Sequence, residues 1–202
     1  MVKNDEWRGA VRGYLASISF ADAQVGRLLD ALDKSPHAKD TIIVLWSDHG
    51  MHIGEKQQWE KFTLFEESTR VPLIIVAPGV TTGGDVCDRP VNLLDVYPTL
   101  NELCALPKRK DLDGVSLVPL LKNPKANWER PAVTTWGRDN HAVRGQRYRY
   151  IRHPNGTEQL YDPQTARDEF TNLSDRPELA AVKTRLAQWL PKTNAEPVRN
   201  KK

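Results

Sequence analysis

Three polar side chains that could bind ions lie in one short part of the sequence. Asp48 and His49 directly follow an apolar run, and Lys61 lies further along the same connecting segment. A carboxylate can hold a cation, and a neighbouring imidazole can coordinate or hydrogen-bond at the same centre. A lysine ammonium suits a tetrahedral oxyanion such as sulfate or phosphate. The alternative is that Asp48 only caps a loop, and Asp-His-Gly alone does not decide between the two.

The apolar runs around these residues predict where they lie in a fold. One run covers residues 41–46, and a second covers residues 73–76. A strand without polar alternation is covered on both faces, which is typical of a central strand in a largely parallel sheet. Ligands of open α/β sheets bind beyond the carboxyl ends of the strands, which is where Asp48 and His49 lie. The long segment between the runs is itself typical of a functional loop.

Helical and hairpin patterns surround the two apolar runs. Apolar residues at three- and four-residue spacing predict amphipathic helices over 13–32 and 92–106. Further on, two short runs around Asn155-Gly156 predict an antiparallel hairpin with its return strand over 158–161. A closing helix is predicted over 177–190.

These elements predict an α/β fold with two parts. The first is a mixed, mainly parallel sheet with flanking helices over residues 1–125. The second, over residues 126–202, is a small antiparallel subdomain with a terminal helix.

Composition excludes several other classes of protein. The chain has 202 residues with 29 basic and 26 acidic side chains, and a net charge of +3 is too small for a default nucleic-acid binder. The apolar runs are too short to span a membrane, and the amino terminus has no apolar stretch for a signal peptide. Two cysteines cannot form a disulfide framework, so packing must hold the fold together.

A series of motifs carries a family resemblance. SDHG is followed by GEK, QQW and EK and then by ESTRVPLIIVAPG. YLASISFADAQVGRLLDAL precedes them, and VNLLDVYPTLNELCALP, DGVSLVPLL and a Leu-Tyr-Asp segment follow. In this order they resemble the carboxyl-terminal half of type I sulfatases, in the alkaline-phosphatase-like superfamily. The iduronate-2-sulfatase and choline-sulfatase branches are the most similar. The resemblance extends over residues 13–190.

The resemblance implies roles for individual residues. Asp48 matches the acidic ligand of a divalent cation, usually calcium, and Lys61 matches the lysine that holds the sulfate group. His49 matches the adjacent position, which is Asn in many sulfatases and His in the iduronate-2-sulfatase branch. Because calcium favours oxygen ligands, His49 could instead hydrogen-bond the sulfate or the nucleophile. We also expect His52 and His141 to contact the substrate; the alternatives are an exposed loop histidine and a surface or packed histidine.

Two family elements are missing from this sequence. Sulfatases attack the ester with a formylglycine made from Cys or Ser in a C-x-P/A-S-R motif, and neither Cys87 nor Cys104 lies in one. The paired aspartates that supply metal oxygens in the family are absent as well. We therefore expect a truncated or split sulfatase that is inactive alone. Its partner is expected to be a separately encoded amino-terminal half or another copy of the chain.

The resemblance also implies the parent reaction. It is hydrolysis of a sulfate ester, of a small molecule or sulfated carbohydrate, with a formylglycine nucleophile and calcium as the divalent cation. Family members are often periplasmic, lysosomal or secreted, and the sequence leaves the compartment open. Two alternatives remain: a phosphoesterase of the same superfamily, and a non-catalytic remnant that binds anions or a partner protein. Metal content and the choice between sulfate and phosphate esters discriminate the sulfatase from the phosphoesterase. Complementation by a separately encoded amino-terminal half favours the sulfatase, and a lack of metal and sulfate binding favours the remnant.

Overall fold

The computed structural model describes residues 6–196, in which helices alternate with short antiparallel sheets. The elements are α1 (Trp7–Asp33), β1 (Ile43–Trp46), β2 (His52–Ile53), β3 (Trp59–Glu60), α2 (Glu66–Thr69), β4 (Leu73–Val76), α3 (Val96–Leu103), α4 (Val118–Lys122), β5 (Ala132–Thr135), β6 (His141–Arg144), β7 (Arg149–Arg152), β8 (Glu158–Tyr161) and α5 (Ala180–Ala187). Three 3-10 turns cover Glu55–Gln57, Leu93–Asp95 and Pro177–Leu179. The predicted α/β class is confirmed.

The first sheet differs from the sequence prediction. β1 and β4 pair with each other in antiparallel register, from Ile43 opposite Val76 to Trp46 opposite Leu73. Every strand pair within residues 6–196 is antiparallel, so the mainly parallel sheet is not found there. An apolar run indicates that a strand is suited to burial. It does not indicate whether the neighbouring strand runs parallel or antiparallel to it.

The two strands of this sheet are also less buried than predicted. Trp46 is 50% exposed and Ile74 is 53% exposed. The expectation that both faces are covered is therefore wrong for the described residues. The apolar runs predicted the two strands correctly but their burial incorrectly. An apolar sequence does not identify which other element, if any, packs against it.

Helix α1 contains the predicted helix and extends it towards the amino terminus. Several of its apolar residues face solvent: Phe20 is 69% exposed and Leu28 is 70% exposed. One end is anchored, since Trp7 Nε1 donates a hydrogen bond of 2.6 Å to the carbonyl oxygen of Ile53. No helix within residues 6–196 is long and apolar enough to cross a membrane.

The carboxyl-terminal part is a four-stranded meander in the order β5-β6-β7-β8. The predicted hairpin is confirmed, with β8 at its predicted bounds and Gly156 in a left-handed conformation at the turn. On one face Val143, Tyr150 and Leu160 pack against Leu186 and Leu190 near α5. The closing helix predicted over 177–190 is observed as the 3-10 turn Pro177–Leu179 followed by α5, and it covers this core.

The other face of this meander packs against the segment between β3 and β4. Leu64 from that segment forms a buried cluster with Ala142, Ile151 and Tyr161. The loop that carries the candidate site is thereby joined to the terminal sheet. The division into residues 1–125 and 126–202 stays a prediction, and residues 197–202 lie outside the described part.

Candidate functional site

The Ser47–Gly50 turn directly after β1 projects Asp48 towards solvent. Ser47 Oγ donates a hydrogen bond of 2.7 Å to the His49 carbonyl, and Gly50 N donates one of 2.8 Å to the Ser68 carbonyl. A Cβ at Gly50 would lie 1.9 Å from the carbonyl oxygen of Glu67, so only glycine allows α2 to approach this closely. The Asp48 side chain is 80% exposed as a result.

The ring of His49 is oriented by the backbone of the next residue, Gly50. Its Nδ1 lies 2.8 Å from the Gly50 carbonyl oxygen, which can only accept, so Nδ1 carries a hydrogen. In the neutral ring Nε2 is then an acceptor, and Lys61 Nζ donates to it at 2.6 Å. Asp48 Oδ1 lies 3.6 Å from the same nitrogen. A carboxylate, an imidazole and an ammonium therefore converge at one accessible point.

Lys61 reaches this point because it follows a two-stranded hairpin. β2 and β3 pair with His52 opposite Glu60, and Glu60 has a positive φ of 75°. The chain turns sharply after β3, and Thr63 N donates a hydrogen bond of 2.8 Å to the Lys61 carbonyl. Lys61 and His49 thus come together from different elements.

Asp48 and His49 are the two described residues that the sequence predicted to hold a cation. Asp48 offers a carboxylate and His49 offers one ring nitrogen, and that nitrogen currently accepts from Lys61. Within residues 6–196 no group of three or more His, Cys, Asp or Glu side chains is placed to hold a metal ion. Calcium takes about six to eight oxygen ligands. Asp48 offers oxygen of this kind and the His49 ring nitrogen does not, so these two residues alone do not form a calcium site.

The side chain of His52 is too buried to contact a substrate. It is fully buried, its ring meets Phe65 edge-on, and its Nε2 lies 2.7 Å from Thr63 Oγ1. Thr63 Oγ1 also lies 2.9 Å from Ser68 Oγ, so His52, Thr63 and Ser68 form one hydrogen-bonded chain. Neither substrate contact nor the exposed-loop alternative fits this burial. His52 holds the loop together.

His141 is held in the terminal sheet rather than in the loop that carries the other predicted site residues. It is fully buried, and its Nδ1 is 2.9 Å from Thr135 Oγ1. It lines a cavity of about 280 Å³ together with Pro191 and Thr193. Among the described hydrogen bonds, none joins it to His49 or Lys61. Its burial supports the alternative of a packed histidine.

A buried ion cluster that the sequence did not reveal fixes α2 to the terminal sheet. The Arg149 side chain is 2% exposed and lies 2.7 Å from Glu169 and in contact with Glu66. Arg149 Nη1 also donates a hydrogen bond of 3.1 Å to the Leu64 carbonyl, and Glu169 accepts one of 2.9 Å from Glu66 N. These partners are far apart in sequence, so no local pattern signals their pairing.

The pKa values of the two carboxyl groups in this cluster are shifted in opposite directions. Burial raises the pKa of Glu169, and the attraction of Arg149 offsets this only in part. Burial would also raise the pKa of Glu66, but Arg149, Arg144 and Arg70 together hold it below its ordinary value of 4.5. Glu66 is therefore the carboxylate that the arginines stabilise in its charged form.

Lys56 forms a second connection between the loop and the terminal sheet. Its Nζ lies 4.4 Å from the ring centre of Phe65, 4.7 Å from that of Phe170 and 5.3 Å from that of Tyr161. The ammonium also donates a hydrogen bond of 2.5 Å to the Glu169 carbonyl. Cation–π contacts with three rings hold this part of the loop in place. Lys56 therefore has a structural role within the loop. Lys61 instead lies beside His49 and Asp48, where solvent can reach it.

Two family models match the chain, and they overlap. The model described as Sulfatase matches residues 2–105, and the model described as N-sulphoglucosamine sulphohydrolase, C-terminal, matches residues 54–196. Together they cover the candidate site, the terminal sheet and the closing helix. Each of them matches at least half of the chain.

Relatives and a solved structure agree with the family models. A sulfatase of Formosa agariphila is 41% identical over 194 residues, which are 96% of this chain and 38% of that protein. A choline-sulfatase of Rhizobium meliloti is 35% identical over 87% of this chain and 35% of that protein. A protein solved with its substrate D-glucosamine-2-N,6-O-disulfate superposes with a TM-score of 0.82 at 28% identity, over 91% of this chain and 40% of that one. The chain thus spans under half the length of these relatives.

Proposed function

The chain belongs to the sulfatase family, and from that premise we propose that it supplies the sulfate-holding part of the active site of a sulfate ester hydrolase. The observation that carries the proposal is the convergence of Lys61 Nζ and Asp48 Oδ1 on Nε2 of His49, at 2.6 and 3.6 Å. The substrate class we propose is a sulfated carbohydrate. The relative solved with a disulfated glucosamine supports this class.

Lys61 performs the anion-binding role. Its compact ammonium donates hydrogen bonds to sulfate oxygens and counters the charge that develops on the leaving oxygen during cleavage. In the structure one of its three hydrogens is donated to the lone pair of His49 Nε2. The other two are available to a sulfate anion. A cation bound at His49 Nε2 would take the same lone pair.

Asp48 and His49 would hold one side of a divalent cation, which we propose to be calcium. Sulfatases generally use a divalent cation and a formylglycine nucleophile. The cation supplies electrostatic stabilisation of the sulfate oxygens when it is bound. Neither Cys87 nor Cys104 lies in a formylglycine motif, so the residues of this chain contribute binding and charge but not the attack on sulfur. We expect no turnover by this chain alone.

A protein partner is the second part of the proposal. Apolar side chains such as Phe20 and Leu28 on α1 and Trp46 and Ile74 on the first sheet are half or more exposed. Exposed apolar patches of this kind mark interaction surfaces. A separately encoded amino-terminal half or a second copy of the chain would cover them. Sedimentation of the chain alone reports the second copy, and co-purification with the amino-terminal part of a sulfatase reports the first.

A chimera tests the proposed activity. This chain replaces the matching carboxyl-terminal region of the Formosa agariphila relative, and the purified chimera is assayed with sulfate and phosphate monoesters. We expect sulfate ester hydrolysis, and a loss of about 100-fold in kcat on Lys61→Ala, because one oxyanion-stabilising donor is removed. Lys108→Ala, at an exposed position, is the matched control. A folded chimera that cleaves no sulfate ester contradicts the proposal, and a preference for phosphate esters favours the phosphoesterase alternative.

A further inference from the structure

Two aromatic rings from distant parts of the chain stack beside the candidate site. Phe62 directly follows Lys61, and Trp136 directly follows β5. Their ring centres are 4.8 Å apart with an interplanar angle of 32°. Stacking normally removes aromatic surface from water, yet Phe62 remains 53% exposed and Trp136 remains 48% exposed. The pair therefore presents a continuous apolar surface to solvent.

This surface lies next to the Lys61 ammonium. Lys61 Nζ is 6.0 Å from the centre of the Phe62 ring. The aromatic surface therefore lies close enough to contact the group attached to a sulfate that the ammonium holds. A sulfate ester held by Lys61 would carry its alcohol portion over or against the aromatic pair.

The backbone around Trp136 forms a defined turn, and the contact with Phe62 orients the Trp136 ring. Trp136 N donates a hydrogen bond of 3.0 Å to the Asn140 carbonyl, which closes the turn between β5 and β6. Gly137 and Asp139 in this turn have positive φ values of 73° and 58°. The turn is therefore tightly specified, and an aromatic ring on it is a preorganised contact surface.

We propose that Phe62 and Trp136 bind the flat, apolar face of the ring that carries the sulfate, and that this ring is a pyranose. The proposal rests on the proposed role of Lys61 in holding the sulfate. The C–H groups on one face of a pyranose pack against the negative face of an aromatic ring. A cationic alcohol portion such as choline fits less well, because the Lys61 ammonium already lies beside the Phe62 ring and repels a second cation. The pair thus determines specificity for the alcohol portion of the ester.

Calorimetric titration of the full chain with three sulfate esters tests this proposal. Glucose 6-sulfate carries a neutral pyranose, methyl sulfate has no ring, and choline sulfate carries a quaternary ammonium. We expect glucose 6-sulfate to bind about tenfold more tightly than methyl sulfate. Trp136→Ala and, independently, Phe62→Ala remove this difference and leave methyl sulfate binding unchanged. Trp189→Ala, at a 44% exposed tryptophan outside the aromatic pair, is the matched control and leaves the difference intact.

The outcomes separate this proposal from the one on which it rests. Equal affinities for glucose 6-sulfate and methyl sulfate, or a glucose 6-sulfate preference that survives both aromatic substitutions, overturn the role of the pair. Tighter binding of choline sulfate overturns the pyranose. Lys61→Ala should weaken all three esters; if it weakens none, or if no ester binds, the proposed function fails and this inference fails with it. Circular dichroism of each variant verifies that it is folded.

Discussion

The ammonium nitrogen of Lys61 lies 2.6 Å from Nε2 of His49. The other ring nitrogen donates to the Gly50 carbonyl, so the imidazole is fixed between the backbone and the ammonium. The two residues come from different elements, a turn after β1 and the end of the β2–β3 hairpin. The motifs alone indicated only which residues could form a site. This contact defines which atom donates and which accepts between two of them.

Replacing His49 with asparagine should strengthen calcium binding. Calcium favours oxygen ligands, and the asparagine amide supplies an oxygen where the imidazole supplies nitrogen. In the chimera, His49→Asn should lower the calcium concentration for half-maximal activity by about tenfold. Asp48→Asn is the matched control at the adjacent residue. It removes the negative charge of the carboxylate and should therefore raise that calcium concentration. Equal calcium dependence of all three proteins would show that these residues do not contact the ion.

Substituting Gly50 should disrupt the site through the backbone of α2. A Cβ there would lie 1.9 Å from the Glu67 carbonyl oxygen, so Gly50→Ala forces the turn and the helix apart. We expect a loss of about 2–3 kcal/mol in the free energy of unfolding. Gly26→Ala, in α1 with no atom within 4 Å of the added Cβ, should instead stabilise by about 0.5–1 kcal/mol. Urea unfolding measures both, and a neutral Gly50→Ala would contradict the close packing.

Removing the buried arginine should be far more costly than removing an exposed one. Arg149→Ala leaves Glu66 and Glu169 as two carboxyl groups without their shared counter-ion. We expect a loss of about 3–5 kcal/mol in the free energy of unfolding. Arg109→Ala breaks the exposed pair with Asp111 and should leave stability essentially unchanged. If chemical denaturation finds the two variants equally stable, the cluster does not hold the loop to the terminal sheet.

The two glutamates of this cluster should contribute opposite pH dependences to stability. The pKa of Glu66 is lowered in the folded chain, so its contribution is present above 4.5 and is lost as the pH falls through the lowered value. The pKa of Glu169 is raised, so its contribution is present below 4.5 and is lost as the pH rises through the raised value.

Urea unfolding between about pH 3.5 and about pH 7 checks these signs. Relative to the unsubstituted chain, Glu66→Gln should reduce the loss of stability on acidification. Glu169→Gln should reduce the loss on going from acid towards neutral pH. Identical pH profiles for the two variants would contradict the opposite pKa shifts.

The sequence predicted the parts of the fold that have a local signal. The helix within α1, the hairpin around Gly156 and the closing helix were each signalled by spacing or by a turn dipeptide. The antiparallel pairing of β1 with β4 was not, because pairing direction depends on partners far along the chain. β2 and β3 have two residues each and are too short to carry a periodic pattern.

The same limit explains the outcome for the site residues. Asp48, His49 and Lys61 were named from their types and from the family resemblance, and the structure brings them together. His52 lies in the same loop but turns inward, and on a two-residue strand no periodicity distinguishes inward from outward. The pairing of Arg149 with Glu66 joins residues 83 positions apart, which one sequence alone cannot signal.

Lys61 is the residue through which the chain is proposed to hold sulfate. Calorimetric titration of the full chain with inorganic sulfate, compared with Lys61→Ala and the exposed control Lys108→Ala, measures this role. Losing a charge-assisted hydrogen bond of about 1.5–3 kcal/mol should weaken sulfate binding by about tenfold or more in Lys61→Ala. Lys108→Ala should bind sulfate as the unsubstituted chain does. Unchanged sulfate affinity in Lys61→Ala would contradict the account.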